Sequence, residues 1–319
     1  MAGGQERILK RRIKSINATK KITRAMELIA GSRIVKAQAR VQAAVPYANG
    51  ITDVVRNLQA GGAGSQHPML VEREQVSRVA QIVIAADRGL CGAYNSAVIR
   101  AGEAQIKGHA KQGRDYALVT VGRKPEGYFR FRNYAIDSSF SGFSDKPTYE
   151  DARQVANSVL ARYEAGELDL VQLVYTRFVS VGRQEVVVRN LLPLADEDLT
   201  APADLGGAAY EFEPSADGIL DELLPRYAEA RVYAALLNAA ASEHAARQRA
   251  MKAATDNAEE LIHTLTRIMN RARQDAITTE IMEIVGGAEA LRQVAKDVHI
   301  VDVHDAEYFE RTARPATAV

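Results

Sequence analysis

The sequence of 319 residues contains a single cysteine and no tryptophan. One cysteine excludes an intrachain disulfide and a cysteine-based metal cluster. Aromatic residues make up only 6% of the chain, so binding of single-stranded nucleic acid by base stacking is not expected. No run of 18 apolar residues occurs, and the basic N-terminus is not followed by the apolar run of a secretory signal. We therefore expect neither direct membrane insertion nor a cleaved leader.

Charge is distributed unevenly, although the net charge is only +1. Residues 1–58 carry twelve Lys/Arg and three Asp/Glu, whereas residues 190–225 carry nine Asp/Glu. A basic arm of this kind suits nucleic acid, anionic lipid or an acidic protein surface. It also suits a plain solvated helix face, and composition leaves these alternatives open.

Residues 6–58 are predicted to form one long helix, within a first segment of residues 1–60. Pro46 should kink this helix rather than end it, because the apolar pattern continues beyond it. Apolar residues recur in alternating steps of three and four, which is a heptad seam. Its clear members are Ile34, Ala37, Val41, Ala44, Ala48, Ile51, Val55 and Leu58. Upstream we expect one stretch at Leu9, Ile13 and Ile16 and another, out of register with it, at Ile22, Met26 and Ile29.

A second long helix is predicted over residues 219–291, because neither Gly nor Pro occurs from Arg226 to Val285. Its seam also alternates steps of four and three. The members are Tyr233, Leu237, Ala240, His244, Arg247, Met251, Ala254, Ala258, Leu261, Leu265, Ile268 and Ala272. The phase then breaks and resumes at Ile277, Ile281, Ile284, Ala288 and Leu291.

Helix length determines the architecture. About 60 residues at 1.5 Å each give roughly 90 Å, whereas a compact domain of this size is roughly 50 Å across. The two terminal helices should therefore form a shaft, most simply an antiparallel coiled coil.

Residues 75–192 show the pattern of a small α/β, Rossmann-like domain. An apolar run at 79–85 predicts a strand that is covered on both faces, and 116–121 predicts a second. Helices are expected at 97–111 and 149–165, and Val181-Gly182-Arg183 predicts a hairpin turn. An acidic linker, 193–218, follows, and residues 292–319 form a tail to which we assign no role.

The loop Asp87-Arg88-Gly89-Leu90-Cys91-Gly92 follows the first strand and precedes a helix. Such a loop could cradle a phosphate, but it lacks both the dinucleotide fingerprint and the Lys-Ser/Thr ending of a P-loop. A structural turn that needs Gly89 and Gly92 is the alternative. Cys91 has no histidine nearby in sequence, and the six histidines show no metal-ligand spacing. No catalytic, cofactor or metal site is therefore expected.

Four segments, in order from about residue 3 to 291, carry a family resemblance. They are RRIKSINATKKITRAMELIAGSR (11–33), IAADRGLCGAYN (84–95), SEHAARQRAMKAATDN (242–257) and ITTEIMEIVGGAEA (277–290). Together they resemble the gamma subunit of F-type ATP synthases. The resemblance implies the fold derived above, with the α/β domain at the foot of the shaft.

The resemblance also implies a function and partners. The chain would be the central rotor shaft inside a ring of three alpha and three beta subunits, and its foot would rest with epsilon on the ring of c subunits. It would lie peripherally on the cytoplasmic face of the cell membrane. Proton flow would turn the shaft, while ATP chemistry would occur on beta, so this chain would be non-catalytic.

Contact residues follow from the same resemblance. Met26 matches the position that faces the acidic loop of beta, with Lys20, Lys21 and Arg24 supplying charge. Arg247, Arg273, Gln274 and Thr278 match positions where the shaft meets loops of the surrounding ring. The alternatives are ordinary seam packing for Met26, a register role for Arg247 and a plain exposed face for the others.

Two other functions compete with this interpretation. The domain at 79–192 could belong to a small-molecule enzyme, which a tightly bound nucleotide would support. The basic arm could bind nucleic acid, but its charges lie beside heptad positions and are not interleaved with aromatics. Cys91 stands alone, so no thiol switch is expected.

Overall fold

The computed structural model describes residues 2–60, 64, 67–194 and 215–312, with side chains for 4–59, 64, 67–194 and 215–295. The described helices are α1 (Ala2–Ala60), α2 (Tyr94–Lys111), α3 (Arg123–Phe131), α4 (Tyr149–Glu164) and α5 (Ala216–Thr312). The strands are β1 (Arg78–Ile84), β2 (Asp115–Val121), β3 (Ser138–Phe140), β4 (Leu170–Phe178) and β5 (Gln184–Leu192). Most of the predicted acidic linker, residues 195–214, lies outside the described residues.

The chain divides into two compact units. One consists of Met1–Lys21 with Asp256–Val319, and the other is Ile22–Thr255. Both terminal helices are long enough to contribute residues to each unit. Helix α1 continues through Pro46 and ends at Ala60.

The Ile22–Thr255 unit contains one five-stranded sheet in the order β3-β2-β1-β4-β5. Strands β1 to β4 run parallel, and α2, α3 and α4 provide the crossovers that parallel strands require. Strand β5 pairs antiparallel with β4. Between them Ser180 and Arg183 exchange backbone hydrogen bonds of 2.9 and 3.2 Å, so the predicted hairpin turn is confirmed.

Both faces of this sheet are covered. On one face Ile82 and Val119 pack with residues of α4 and of the two terminal helices. On the other face Val83 and Leu118 pack with α2 and α3. Six of the seven residues of β1 are buried, which explains its continuous apolar run.

Helix α3 and strand β3 are absent from the sequence-based prediction. The segment of α3, RKPEGYFRF, contains Pro125 and Gly127 within nine residues and therefore has the composition of a loop. Pro125 is tolerated because it lies in the first turn, where backbone N–H groups have no intrahelical partner. Strand β3 has three residues, too few for a periodic pattern.

The terminal helices pair within the Ile22–Thr255 unit in antiparallel order. Thr23 lies against Thr255, with 2.8 Å between their hydroxyl oxygens, while Gly31 lies against the side chain of Gln248. Rising residue numbers on α1 therefore meet falling numbers on α5. All eight predicted seam residues from Ile34 to Leu58 are buried or half-buried, so this part of the coiled coil is confirmed.

Upstream of Ile34 the buried face of α1 differs from the predicted one. Ile22 and Ile29 are 61% and 54% exposed, whereas Thr23 and Glu27 are buried. The register that buries Ile34 continues upstream in alternating steps of four and three, so polar residues occupy the seam. The predicted out-of-register stretch is therefore wrong at Ile22 and Ile29, which form an outer apolar surface, whereas its third member, Met26, is half-buried.

The unit of Met1–Lys21 with Asp256–Val319 shows a similar correction on α5. Leu265 is half-buried as predicted, but Leu261 and Ile268 are exposed, and Ile262 and Met269 are half-buried instead. Each of these half-buried residues lies one position after the predicted one. Successive residues of a helix are about 100° apart, so the buried face is rotated from the predicted face by that angle. The predicted seam on α1, at Leu9, Ile13 and Ile16, is half-buried.

From Ile277 onward every described side chain of α5 is exposed, up to residue 295. The predicted resumed seam from Ile277 to Leu291 is therefore uncovered in the isolated chain. The helix itself does not end at Leu291 but continues to Thr312. Residues 298–303 are helical, and residues 313–319 of the tail lie outside the described residues.

Candidate functional site

The loop Asp87–Gly92 begins where β1 ends, at the carboxyl edge of the parallel strands. Asp87 Oδ2 accepts hydrogen bonds from the backbone N–H of Gly142 (2.9 Å) and Ser144 (3.2 Å). Its Oδ1 accepts one from Arg123 N (3.1 Å). Asp87 thus holds the start of α3 and the segment before α4 against the loop.

The outer part of this loop is exposed. Arg88 extends into solvent, and Leu90 is 61% exposed with a φ of 62°. Gly92 has a φ of 58°, a conformation that glycine adopts without strain. Asn95 anchors the turn, since its Oδ1 accepts from Ala86 N (2.9 Å) and its Nδ2 donates to Arg88 O (3.2 Å).

Cys91 points away from solvent at the base of the loop. Its side chain is buried, and burial raises the pKa of the thiol. A buried thiol with a raised pKa is a poor nucleophile, because the thiolate is the reactive form. These features favour packing over catalysis at this position.

A cleft of about 270 Å³ brings the loop together with α1 and α5, all within the Ile22–Thr255 unit. Four of the predicted site residues line it: Met26, Arg88, Gly89 and Arg247. The remaining lining residues are Ile29, Ala30, Arg33, Leu90, Asp145 and His244. The cleft mouth therefore combines exposed apolar side chains with arginines.

Asp145 is the acidic centre of this cleft. Its Oδ2 accepts from Arg33 Nη1 (2.6 Å) and lies 3.7 Å from Arg88 Nη1, while its backbone O accepts from His244 Nε2 (3.3 Å). Burial tends to raise the pKa of Asp145, but His244, Arg33 and Arg88 outweigh it and lower that pKa. Burial lowers the pKa of His244, which favours the neutral ring.

A buried ion pair lies beneath the cleft. Arg247 Nη2 donates to Glu243 Oε1 over 2.6 Å, and the two side chains are 9% and 1% exposed. The same Nη2 lies 3.3 Å from Gly89 O, in the loop. Burial raises the pKa of Glu243 to about 7 even though Arg247 works in the opposite direction. Arg247 therefore contacts the loop from inside the molecule.

The other predicted basic residues are on the surface of α1. Arg24 is exposed and lies in the same unit as Met26, with Nη1 3.0 Å from both carboxylate oxygens of Glu27. Lys20 and Lys21 belong to the unit of Met1–Lys21 with Asp256–Val319, where Lys20 Nζ lies 3.1 Å from Glu259 Oε1. Lys21 is exposed.

Arg273, Gln274 and Thr278 share one exposed segment of α5. Thr278 Oγ1 donates to Gln274 O over 3.0 Å, so its hydroxyl proton is used within the helix. These three residues belong to the unit that contains Lys20 and Lys21, not to the unit that contains the cleft.

Neither a metal site nor a membrane-spanning helix is found among the residues that the structure describes. Over these residues no three His, Cys, Asp or Glu side chains converge in a group that could hold a metal ion. No described helix is long and apolar enough to cross a membrane.

Known proteins match this chain over most of its length. Residues 5–291 match the sequence family described as ATP synthase. The ATP synthase gamma chains of Frankia casuarinae and Acidothermus cellulolyticus are each 52% identical to it, over 90% and 91% of this chain and 98% of their own. The chain belongs to the ATP synthase gamma chain family. It is therefore a subunit of an F-type ATP synthase, with the role of rotor shaft.

A solved structure agrees with this family. The cryo-EM structure of the Tetrahymena thermophila mitochondrial ATP synthase, central stalk and c-ring, contains a chain that is 27% identical. It covers 73% of this chain and 99% of its own length, with a TM-score of 0.55. The gamma chain family thus accounts for both the helices and the sheet domain.

Asp145, which lines the cleft, and Glu243, which lies beneath it, are missing from the sequence-based prediction. Asp145 lies in a loop with no motif, and only the tertiary fold brings it to Arg33. Glu243 does carry a local signal, because it precedes Arg247 by four positions on a helix and such pairs face each other. Its burial is not visible in that spacing.

Proposed function

We propose that this chain couples rotation of a c-subunit ring to conformational change at the catalytic sites of three beta subunits. Its partners would be three alpha and three beta subunits around the shaft, with epsilon and the c-ring at the foot. It would work peripherally on the cytoplasmic face of the cell membrane, in a proton-translocating enzyme. The chain itself would contribute no catalytic residue.

The cleft at Met26 is the observation that carries this proposal. Met26 is half-buried, with Ile29 and Leu90 exposed beside it and Arg33 and Arg88 at the rim. Such a surface fits the acidic loop of beta that the family resemblance places opposite Met26, because arginine pairs well with carboxylates. Arg24 is a further exposed cation on α1, where it pairs with Glu27 and does not line the cleft.

The exposed end of α5 supports insertion into a partner. Ile277, Ile281, Ile284 and Leu291 are all exposed on the free chain. A continuous row of large apolar side chains is characteristic of a surface that a partner covers. Arg273, Gln274 and Thr278 precede or interrupt this row, so they would provide the polar contacts of the same interface.

Absence of nucleotide chemistry on this chain is supported by the loop geometry. The Asp87 carboxylate already occupies the N–H groups of Arg123, Gly142 and Ser144, and it would repel a phosphate at that edge of the sheet. We expect no ATP binding by the purified chain in calorimetry at micromolar concentrations. Tight binding there would favour the enzyme alternative.

Reconstitution tests the proposal as a whole. The chain, mixed with alpha and beta subunits of the same source, should co-purify at one copy per three of each and give an ATPase. After addition of epsilon and the membrane sector, ATP should drive proton uptake into vesicles. A complex that hydrolyses ATP equally well without this chain and pumps without it would contradict the proposed role.

A further inference from the structure

We propose that Glu243 is the positioning residue of the Asp87–Gly92 loop: it aims Arg247 at Gly89, lies beside the Ser144 side chain that binds Asp87, and so fixes Arg88 and Leu90 at the mouth of the cleft. The inference rests on the proposed function, in which that cleft meets the beta subunit. It assigns a task to a buried carboxylate that would otherwise be costly, since an ionisable group in the interior must be compensated.

The first point of attachment is Gly89. Glu243 Oε1 fixes the guanidinium of Arg247 over 2.6 Å, and this orientation leaves Arg247 Nη2 3.3 Å from Gly89 O. Both side chains are almost completely buried, so the guanidinium has little freedom to turn elsewhere. Without the carboxylate, Arg247 would lose the group that aims it at the loop.

The second point of attachment is Asp87, and it is made through Ser144. The Ser144 hydroxyl oxygen accepts from Asp87 N over 3.0 Å, and Ser144 and Glu243 line the same small enclosed space. Glu243 therefore lies beside the side chain that binds residue 87 as well as beside the one that reaches residue 89.

Arg247 gains a different role from this geometry. With a side chain that is 9% exposed, it has little surface to offer a partner directly. It would act through the loop, and Glu243 would act through Arg247. Leu90 and Arg88, which are exposed, would make the outer contacts.

Amide hydrogen exchange of the full-length purified chain tests the positioning. Glu243→Ala should speed exchange of the amides of residues 87–92 about tenfold, the change expected for loss of one buried charge-assisted hydrogen bond. Glu243→Gln, which keeps an acceptor for Arg247, should restore most of the protection and also guards against a variant that does not fold. The matched control is Glu229→Ala, because Glu229 is also a buried carboxylate of α5 but accepts from Tyr149 instead.

A double variant sharpens the result. If Glu243 acts through Arg247, Arg247→Ala alone should also speed exchange of the loop amides. On a logarithmic scale, the double variant should then speed exchange by less than the sum of the two single-variant effects. Unchanged loop exchange in Glu243→Ala, or an equal increase along all of α5, would overturn the inference without touching the rotor function.

The functional arm uses the reconstituted complex. Glu243→Ala should lower the number of protons pumped per ATP, and Glu243→Gln should restore it, whereas Glu229→Ala should leave it at the wild-type value. Faster loop exchange with unchanged pumping would overturn the role of the loop in coupling. Failure of the wild-type chain to support pumping would instead contradict the proposed function.

Discussion

Arg33 and Asp145 form an ion pair of 2.6 Å, although 112 positions separate them in the sequence. Arg33 lies on α1, and Asp145 lies in the segment between β3 and α4. The pair therefore attaches a terminal helix to the sheet domain within the Ile22–Thr255 unit. It also places a carboxylate next to Arg88 and His244, at the centre of the cleft.

Replacing Asp145 should weaken the unit in a pH-dependent way. Because the pKa of Asp145 is lowered in the folded chain, its carboxylate stabilises the fold above the ordinary value of 3.8, and this stabilisation is lost as the pH falls through the folded pKa. Asp145→Asn should lower the free energy of unfolding by about 1 kcal/mol at pH 7 and by less near pH 3. The loss at pH 7 is modest because Arg33 is partly exposed and solvent screens the ion pair. Urea unfolding at both pH values measures the difference.

A matched control is Asp53→Asn, which removes an exposed carboxylate paired with Arg56 on the same helix. It should change the free energy of unfolding by no more than about 0.5 kcal/mol. Equal losses in the two variants would mean that the Arg33–Asp145 contact does not fasten α1 to the domain.

The ionisation of Glu243 should appear in the stability curve near neutral pH. Its folded pKa of about 7 exceeds the ordinary value of 4.5, so its contribution is complete below pH 4.5 and is lost as the pH rises through 7. The free energy of unfolding should fall by up to about 3 kcal/mol over that range. Arg247, Asp145 and Ser144 face the carboxylate. Its charge also raises the pKa of Tyr94 and that of Cys91, although burial is the larger cause for both.

Glu243→Gln cannot ionise and should flatten this part of the curve. Chemical unfolding of the full chain at pH 5 and pH 8 would compare the two proteins. The same pH dependence in wild type and Glu243→Gln would assign the titration to another group.

Met26→Lys should reduce coupling between ATP hydrolysis and proton pumping. A new cation at the cleft would pair with an acidic loop of beta in some rotary positions and not in others. An exposed ion pair contributes about 0.2–1 kcal/mol, enough to shift the balance between positions by up to roughly fivefold. Protons pumped per ATP in reconstituted vesicles give the readout, and assembly should be unaffected.

The control for this change is Met26→Leu, which conserves volume and adds no charge. It should pump like the wild type. If Met26→Lys pumps like Met26→Leu, the half-buried Met26 is simply a packing residue of the coiled coil.

Gln274→Ala should slow turnover while the isolated chain keeps its melting temperature. Gln274 is exposed on α5, and truncation of an exposed polar side chain costs little stability. Loss of one polar contact to the ring should lower the ATPase rate about two- to tenfold. The control is Arg271→Ala, because Arg271 is also exposed and lies less than one helical turn from Gln274. Similar ATPase rates for the two variants would mean that Gln274 is not a contact of the interface.

Residues 292–319 should be dispensable for rotation. The family match ends at residue 291, and the segment beyond it carries many charged residues, which are costly to bury in an apolar interface. We expect a chain that ends at Leu291 to assemble with its partners and to retain ATPase activity. Loss of assembly or of activity would place the functional end of α5 beyond Leu291.

The sequence alone determined those features that depend on local periodicity. The seam from Ile34 to Leu58, the buried β1 and the turn at Val181-Gly182-Arg183 are each specified by residues within a few positions of one another. The four motifs at 11–33, 84–95, 242–257 and 277–290 together predicted the family. None of these conclusions needed knowledge of which distant segments meet.

Only the tertiary structure decided which residues fill the interface between distant segments. Burial of Thr23 and Glu27 in place of Ile22 and Ile29 follows from the register of α1, which is set by its packing downstream. Likewise, the attraction between Asp145 and Arg33, and the raised pKa of Glu243, depend on distance and burial. Both are properties of the folded chain, because the strength of a charge interaction is governed by its surroundings as well as by the residues that carry it.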